Sequence, residues 1–164
     1  ARKAFRSVGP SQNRTPAAPP PSGPEYLLVD GYNVIFAWDE LKKIAAENLD
    51  AARRRLMDIL CNSAGYRKCV PILVFDAYRV KGAGREQETW HNLHVIYTRE
   101  AETADMFIER ATHELAKNHR VRVVSSDGAE QIIILGNGAL RVSARAFERE
   151  VRAVEAEIRE FLDQ

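Results

Sequence analysis

Short apolar runs alternate with helically spaced apolar stripes along most of this chain. Leu27-Leu28-Val29 forms the first run, within residues 26–33, and ends abruptly in Asp30-Gly31-Tyr32-Asn33. Over residues 48–63 the period changes: Leu49, Ala52, Leu56, Ile59 and Leu60 recur three and four apart, which predicts an amphipathic helix. Residues 70–75 return to a β-rich run that again closes on an acid, Asp76. Residues 93–97 read as a third strand, 103–118 as a helix with Ala104, Ile108, Ala111 and Leu115 on its apolar stripe, and 121–125 as a fourth strand. Asp127 with Glu130 three positions on resembles a capping box, so a helix is expected over 129–135, stopped by Gly136-Asn137-Gly138 and followed by a short edge strand at 139–142. From Ser143 onward, Phe147, Val151, Val154, Ile158, Phe161 and Leu162 mark one face of a long terminal helix. That face covers too few turns for a coiled coil, and packing on the chain's own sheet is the expectation.

This alternation predicts an α/β fold on a doubly wound, mostly parallel sheet, and composition narrows the class further. A chain of 164 residues sets a prior of one domain with a core of its own. No apolar run approaches the roughly 18 residues of a membrane span, and no signal-peptide core is visible, so the expectation is a cytoplasmic protein without a membrane partner. Cys61 and Cys69 form neither a CxxC nor a zinc set and read as small buried hydrophobes in a reducing compartment. Residues 7–24 are rich in Pro, Ser, Gly and Ala, with Pro19-Pro20-Pro21 favouring extended backbone. Residues 1–24 thus read as a flexible Pro-rich linker before a folded domain at 25–164. The start at Ala1 and the basic residues ahead of the linker point to a fragment of a longer protein.

Charge distribution says more than the net value of +1. Residues 1–24 carry Arg2, Lys3, Arg6 and Arg14 with no acid; without those four, 20 basic residues face 23 acids, a body near −3. A globally basic nucleic-acid footprint is absent, so any RNA contact must be local. Two candidate patches stand out. Arg53-Arg54-Arg55 is either a phosphate grip or an exposed helix face. The stretch 77–92 holds Gly82 and Gly84, the basic residues Arg79, Lys81 and Arg85, and the aromatics Tyr78 and Trp90. It suits either backbone approach to RNA with base stacking or a solvated surface loop.

The acids carry the candidate chemistry. Asp30, Asp76 and Asp127 each follow a predicted strand, while Glu102 and Asp105 open a predicted helix. Each has an ordinary structural role available, as a cap or as a partner of the helix dipole. In a doubly wound sheet, however, all of these positions share one edge. A cluster of oxygen ligands without His or Cys suits a hard divalent ion, Mg²⁺ or Mn²⁺. Such an ion activates water and stabilises charge on a phosphodiester, so hydrolysis is the natural reaction. No GxSxG elbow, P-loop lysine or paired Cys and His competes.

Five segments resemble the YacP-like branch of the NYN domains, which belong with the PIN-like nucleases. They are Val29-Asp30-Gly31-Tyr32-Asn33-Val34-Ile35, Phe75-Asp76-Ala77, residues 97–105, Ser125-Ser126-Asp127-Gly128-Ala129-Glu130-Gln131 and Arg141-Val142-Ser143-Ala144-Arg145, in family order across residues 25–164. The resemblance implies a PIN-like fold and a metal-dependent endoribonuclease acting on mRNA at the ribosome. It implies Asp30, Asp105 and Asp127 as the metal-binding core, Asn33 as the residue orienting water or phosphate, and Asp76 and Glu102 as auxiliary ligands. It also implies docking in the ribosomal A site, for which Arg53, Arg54, Arg55, Arg79, Lys81 and Arg85 are candidates by location alone. The N-terminal linker departs from the compact family pattern and is compatible with fusion to a larger N-terminal protein. The alternative from another class is a noncatalytic ribosome- or RNA-binding module that has kept the acidic shape. A phosphatase ranks last, because Asp30 is followed by Gly31-Tyr32 rather than by the second acid of a DxD pair. A DNA 5′-nuclease shares the acidic chemistry and is separated by its indifference to the 2′-hydroxyl.

Overall fold

The computed structural model describes residues 23–77, 87–125, 133–134 and 138–164. Among them, seven strands form one sheet: β1 (Tyr26–Asp30), β2 (Val70–Phe75), β3 (Gln87–Trp90), β4 (Leu93–Tyr97), β5 (Val121–Ser125), β6 (Ile133–Ile134) and β7 (Leu140–Ser143), in the order β3-β4-β2-β1-β5-β7-β6. The five central strands run parallel, and only the outer β3 and β6 are antiparallel to their neighbours. This is the α/β, PIN-like, mostly parallel architecture expected from the sequence.

Alternation within the strands sends side chains to two cores. Leu27, Val29, Leu73, Phe75, Val95 and Val124 face one side, beneath the helices α1 (Gly31–Ala37), α2 (Asp39–Glu47), α3 (Leu49–Arg67) and α5 (Ala144–Leu162). Leu28, Val74, Val121 and Val123 face the other, where α4 (Ala104–Leu115) lies across them. Helices therefore cover both faces. Trp38, fully buried between α1 and α2, donates its indole N–H to the carbonyl of Ala144 at 2.8 Å and ties those helices to the start of α5.

Several local expectations change. Residues 31–47 carry α1 and α2, which no clean apolar stripe announces; Asp30 caps α1 and Asn48 caps α3 with their side chains. The stretch 77–92 is not wholly loop, because residues 87–90 form β3 and pair with β4. Trp90 is half-buried and packs against the larger core. The expected helix over 129–135 does not reach its end: Ile133 and Ile134 are strand and pair with Arg141 and Leu140, as their β-branched chains favour. The strand after Gly138 is consequently internal, between β5 and β6, rather than an edge. The terminal helix buries Phe147, Val151 and Val154, yet Phe161 and Leu162 are 72% and 71% exposed. Its 19 residues span about 28 Å against about 17 Å for a five-residue strand, so its last turns overhang the sheet. Cys61 and Cys69 are half-buried free thiols that pack on the larger core, and burial pushes both thiols up from their ordinary range. No described helix is long and apolar enough to cross a membrane.

Candidate metal and phosphodiester site

Strand parity decides which acids meet. In β1, Tyr26, Leu28 and Asp30 share the α4 face; in β2 and the residue that follows it, Ile72, Val74 and Asp76 do. The parallel register aligns Asp30 with Val74, so both carboxylates emerge at the same end of the sheet and on the same face. Asp105, in the first turn of α4, arrives at that end from the helix lying over the face.

Asp30 is the most constrained of the three, at 5% exposure. Its Oδ2 accepts from the Asn33 side-chain amide at 2.7 Å, and its Oδ1 accepts the Asn33 backbone N–H at 3.4 Å as the cap of α1. Burial pushes its carboxyl up to about 6, the charges of Asp105 and Asp76 add to the rise, and the two Asn33 hydrogen bonds oppose it. Gly31 is obligatory beside it, since a Cβ there would be driven into the Phe75 ring. Tyr32 packs on the other flank of that ring at 5.0 Å.

Asp76 has two functions in the fold. Its Oδ1 accepts the Ala104 N–H at 2.7 Å, which anchors the start of α4 and thereby sets where Asp105 stands. Thr103 completes that start by accepting the Met106 N–H at 3.2 Å. Thr98 braces the same loop: its N–H reaches the Phe75 carbonyl at 3.0 Å and its Oγ1 accepts the Ala77 N–H at 3.2 Å. The sequence reading passed over Thr98; its only signal was a buried-type position directly after a strand.

Glu102 is held by Arg110 at 2.8 Å, so it joins a helix-face ion pair, while the charges raising the Asp30 carboxyl are those of Asp105 and Asp76. The triple arginine fans out, as three successive helical residues must at 100° apart. Arg53 is drawn inward, donating to the Tyr32 hydroxyl at 3.2 Å and to Asp50 at 2.9 Å. Arg54 faces solvent near Asp50, and Arg55 meets Glu40 at 2.9 Å. Asp127, Arg79, Lys81 and Arg85 lie outside the described residues. Among the described residues no three His, Cys, Asp or Glu side chains form a metal-spaced group. The donor chemistry nonetheless fits a hard cation: Asp30, Asp76 and Asp105 offer oxygen alone, and their mutual repulsion is what a divalent ion relieves. On the same face, Arg141 holds Ser125, at the end of β5, through an Nε to Oγ hydrogen bond of 2.9 Å.

Known proteins resemble this chain in sequence and fold. Residues 27–164 match the family model of the YacP-like NYN domain. YacP of Bacillus subtilis (strain 168) is 43% identical over 135 residues, which cover 82% of this chain and 79% of that protein. The crystal structure of Rae1 (YacP) from Bacillus subtilis superposes with a TM-score of 0.71 at 41% identity, covering 84% of this chain and 79% of that one. A tryptophan-to-leucine mutant of the same protein gives 0.67 at 39% identity, over 82% and 79%.

Proposed function

The chain belongs to the YacP-like NYN domain family, and from that membership we propose that it is a divalent-metal-dependent endoribonuclease hydrolysing phosphodiester bonds of mRNA on the ribosome. Family membership supports the coarser reading, a nuclease-like protein acting on RNA. The observation that supports catalysis is the buried Asp30 carboxylate at a strand end, with Asp76 and Asp105 close enough to raise its proton affinity. Crowded carboxylates repel, and a divalent cation bound among them would offset that cost.

Asp30, Asp105 and Asp127 would hold Mg²⁺ or Mn²⁺, with Asp76 as an auxiliary acid; Glu102, the other auxiliary acid the family resemblance implies, is drawn aside by Arg110. When bound, the ion supplies positive charge to the phosphodiester oxygens and makes the attacking water more acidic. The chain's own residues do the positioning. Asn33 fixes the Asp30 carboxylate through its amide, which leaves Asn33 itself in place to orient water or phosphate. Asp76 locks the first turn of α4 and so the approach of Asp105. Water attacks phosphorus in line, the P–O bond opposite breaks, and the leaving oxygen takes a proton. Arg54, Arg55, Arg79, Lys81 and Arg85 are the proposed contacts to RNA, rRNA included, while Arg53, turned inward onto Tyr32 and Asp50, is left out of that set.

The test is cleavage of a reporter mRNA in a reconstituted translating system with Mg²⁺. Asp30→Asn and Asp105→Asn should each remain folded and lose cutting by at least about a hundredfold, the scale of losing a principal electrostatic contributor. Undiminished cutting by both variants would sink the proposal. An intact chain that sediments with ribosomes but cuts no RNA would establish the noncatalytic binding module instead. Replacing each 2′-hydroxyl of the substrate by hydrogen separates an RNase from a DNA-directed 5′-nuclease.

A further inference from the structure

Near the acids, between α4 and β4, lies a cavity of about 350 Å³ whose lining includes Ile96, Tyr97, Thr98, Glu102, Phe107 and Arg110. Its size is at the lower end of small-ligand sites, enough for one nucleobase. It exists because α4 packs over β1, β2 and β5, leaving Ile96 on the α4 face of β4 half-buried.

The lining carries a specific chemistry. The Arg110 guanidinium lies 5.4 Å over the Phe107 ring and meets Glu102 at 2.8 Å. The result is a stack of flat π and cationic surface flanked by a carboxylate, with Ile96 apolar behind it. Arg110 is 69% exposed, and an exposed ion pair of this kind is weak, so a bound anion can recruit the guanidinium easily. Aromatic surface with an arginine above it is how single-stranded nucleic acid is held without regard to sequence, by base stacking and cation–π contact. Glu102 adds acceptors where the base edge would lie. The cavity is also tied to the acids through its lining. Thr98 lines it and braces Ala77 beside Asp76, while Asp76 anchors Ala104 two residues after Glu102.

From this juxtaposition we infer that the cavity is a nucleotide subsite: it takes the base of the single-stranded RNA nucleotide flanking the phosphodiester presented to the acids. The base stacks at Phe107, Arg110 contacts the base face and the adjoining phosphate, and Glu102 accepts from the base edge. This inference rests on the RNA-cleaving reading above for which phosphate is nearby. The subsite itself makes a claim about binding alone.

Binding is therefore measured without metal. The full chain in EDTA is titrated into a fluorescein-labelled single-stranded RNA of about 12 nucleotides and followed by anisotropy. Arg110→Ala and Phe107→Leu should each weaken binding about tenfold, within the range for loss of one base stack. Arg110→Lys should recover only part of the loss, because an ammonium cannot lie flat on a ring. Arg149→Ala, which removes an exposed arginine from α5 on the opposite side of the sheet, should change affinity less than twofold. In cleavage assays, an abasic ribonucleotide stepped through the substrate should raise KM at one position next to the cut. Equal losses from Arg149→Ala and Arg110→Ala, unchanged affinity in both cavity variants, no measurable binding by the parent chain, or a flat abasic scan would each overturn the subsite. Parent binding that depends on Arg110 and Phe107, with no RNA cut, would keep the subsite and remove the nuclease reading.

Discussion

Replacing Asp30 with Asn should stabilise the metal-free protein while ending cleavage. The side chain is almost fully buried, and its carboxyl is held at about 6 against an ordinary value of 3.8, chiefly by burial and then by Asp105 and Asp76. A displacement of about two pKa units is about 3 kcal/mol of penalty on the charged form, as an order of magnitude. In the unfolded chain this carboxyl titrates near 3.8 and in the folded chain near 6, so between those limits the folded state binds more protons. Stability must then fall as pH rises through that window: the penalty is absent below about pH 4 and complete above about pH 6. Asn has the same shape and no charge, and the Asn33 amide can turn its oxygen toward the new NH₂. The variant should lack the fall and exceed the parent by about 2–3 kcal/mol near neutral pH, which is several degrees in Tm for a domain of this size. Urea unfolding in EDTA at several pH values from about 4 to about 8 reads the difference. Adding Mn²⁺ should raise the Tm of the parent and leave that of the variant unmoved, because the ion binds only where the carboxylate is present. A variant that is less stable than the parent at neutral pH, with the same pH slope, would refute the reasoning.

Three further changes probe the scaffold of the site. Asn33→Ala removes the 2.7 Å amide donor to Asp30, so the Asp30 carboxyl should titrate higher still, as followed by carboxyl-carbon NMR; an unchanged or lowered value would contradict the hydrogen bond's role. Gly31→Ala forces a methyl into the Phe75 ring and should cost about 1–3 kcal/mol in urea unfolding, the usual penalty of overpacking. Trp38→Phe leaves the Ala144 carbonyl without its indole donor and should cost about 1–3 kcal/mol, with early loss of α5 protection in hydrogen exchange; a neutral substitution would show that the tie is dispensable.

The sheet was legible because its central strands are buried on both faces and read as apolar runs, with bounds for β2, β4 and β5 that the structure keeps and a first run that falls inside β1. What was hard to read had mixed signals. α1 is too short and too evenly buried to show a polar side, with Gly31, Tyr32, Val34 and Ile35 all inside. Residues 87–90 are three polar residues followed by Trp90 on an edge strand, where alternate positions face solvent. Ile133 and Ile134 sit after a capping signal that suggested a helix, and a tertiary pairing with β7 outweighed it.

For the candidate site, the position of an acid at the end of a strand is only half of the information in the sequence. The other half is parity. Tyr26, Leu28 and Asp30, like Ile72, Val74 and Asp76, are spaced two apart, and the apolar members of both sets lie in the core under α4. Counting by twos therefore assigns Asp30 and Asp76 to one face before any contact is known, and it assigns to the same face the helix whose first turn holds Asp105. Glu102 is not on any strand, so parity says nothing of it; it precedes α4, and Arg110, eight residues on, reaches it from the helix face that Arg110 shares with Phe107. Helix α4 thus presents two chemistries: the Asp105 carboxylate in its first turn and, on another side of the helix, a cation over an aromatic ring. A flexible polymer that is both charged and planar, as single-stranded RNA is, can reach both.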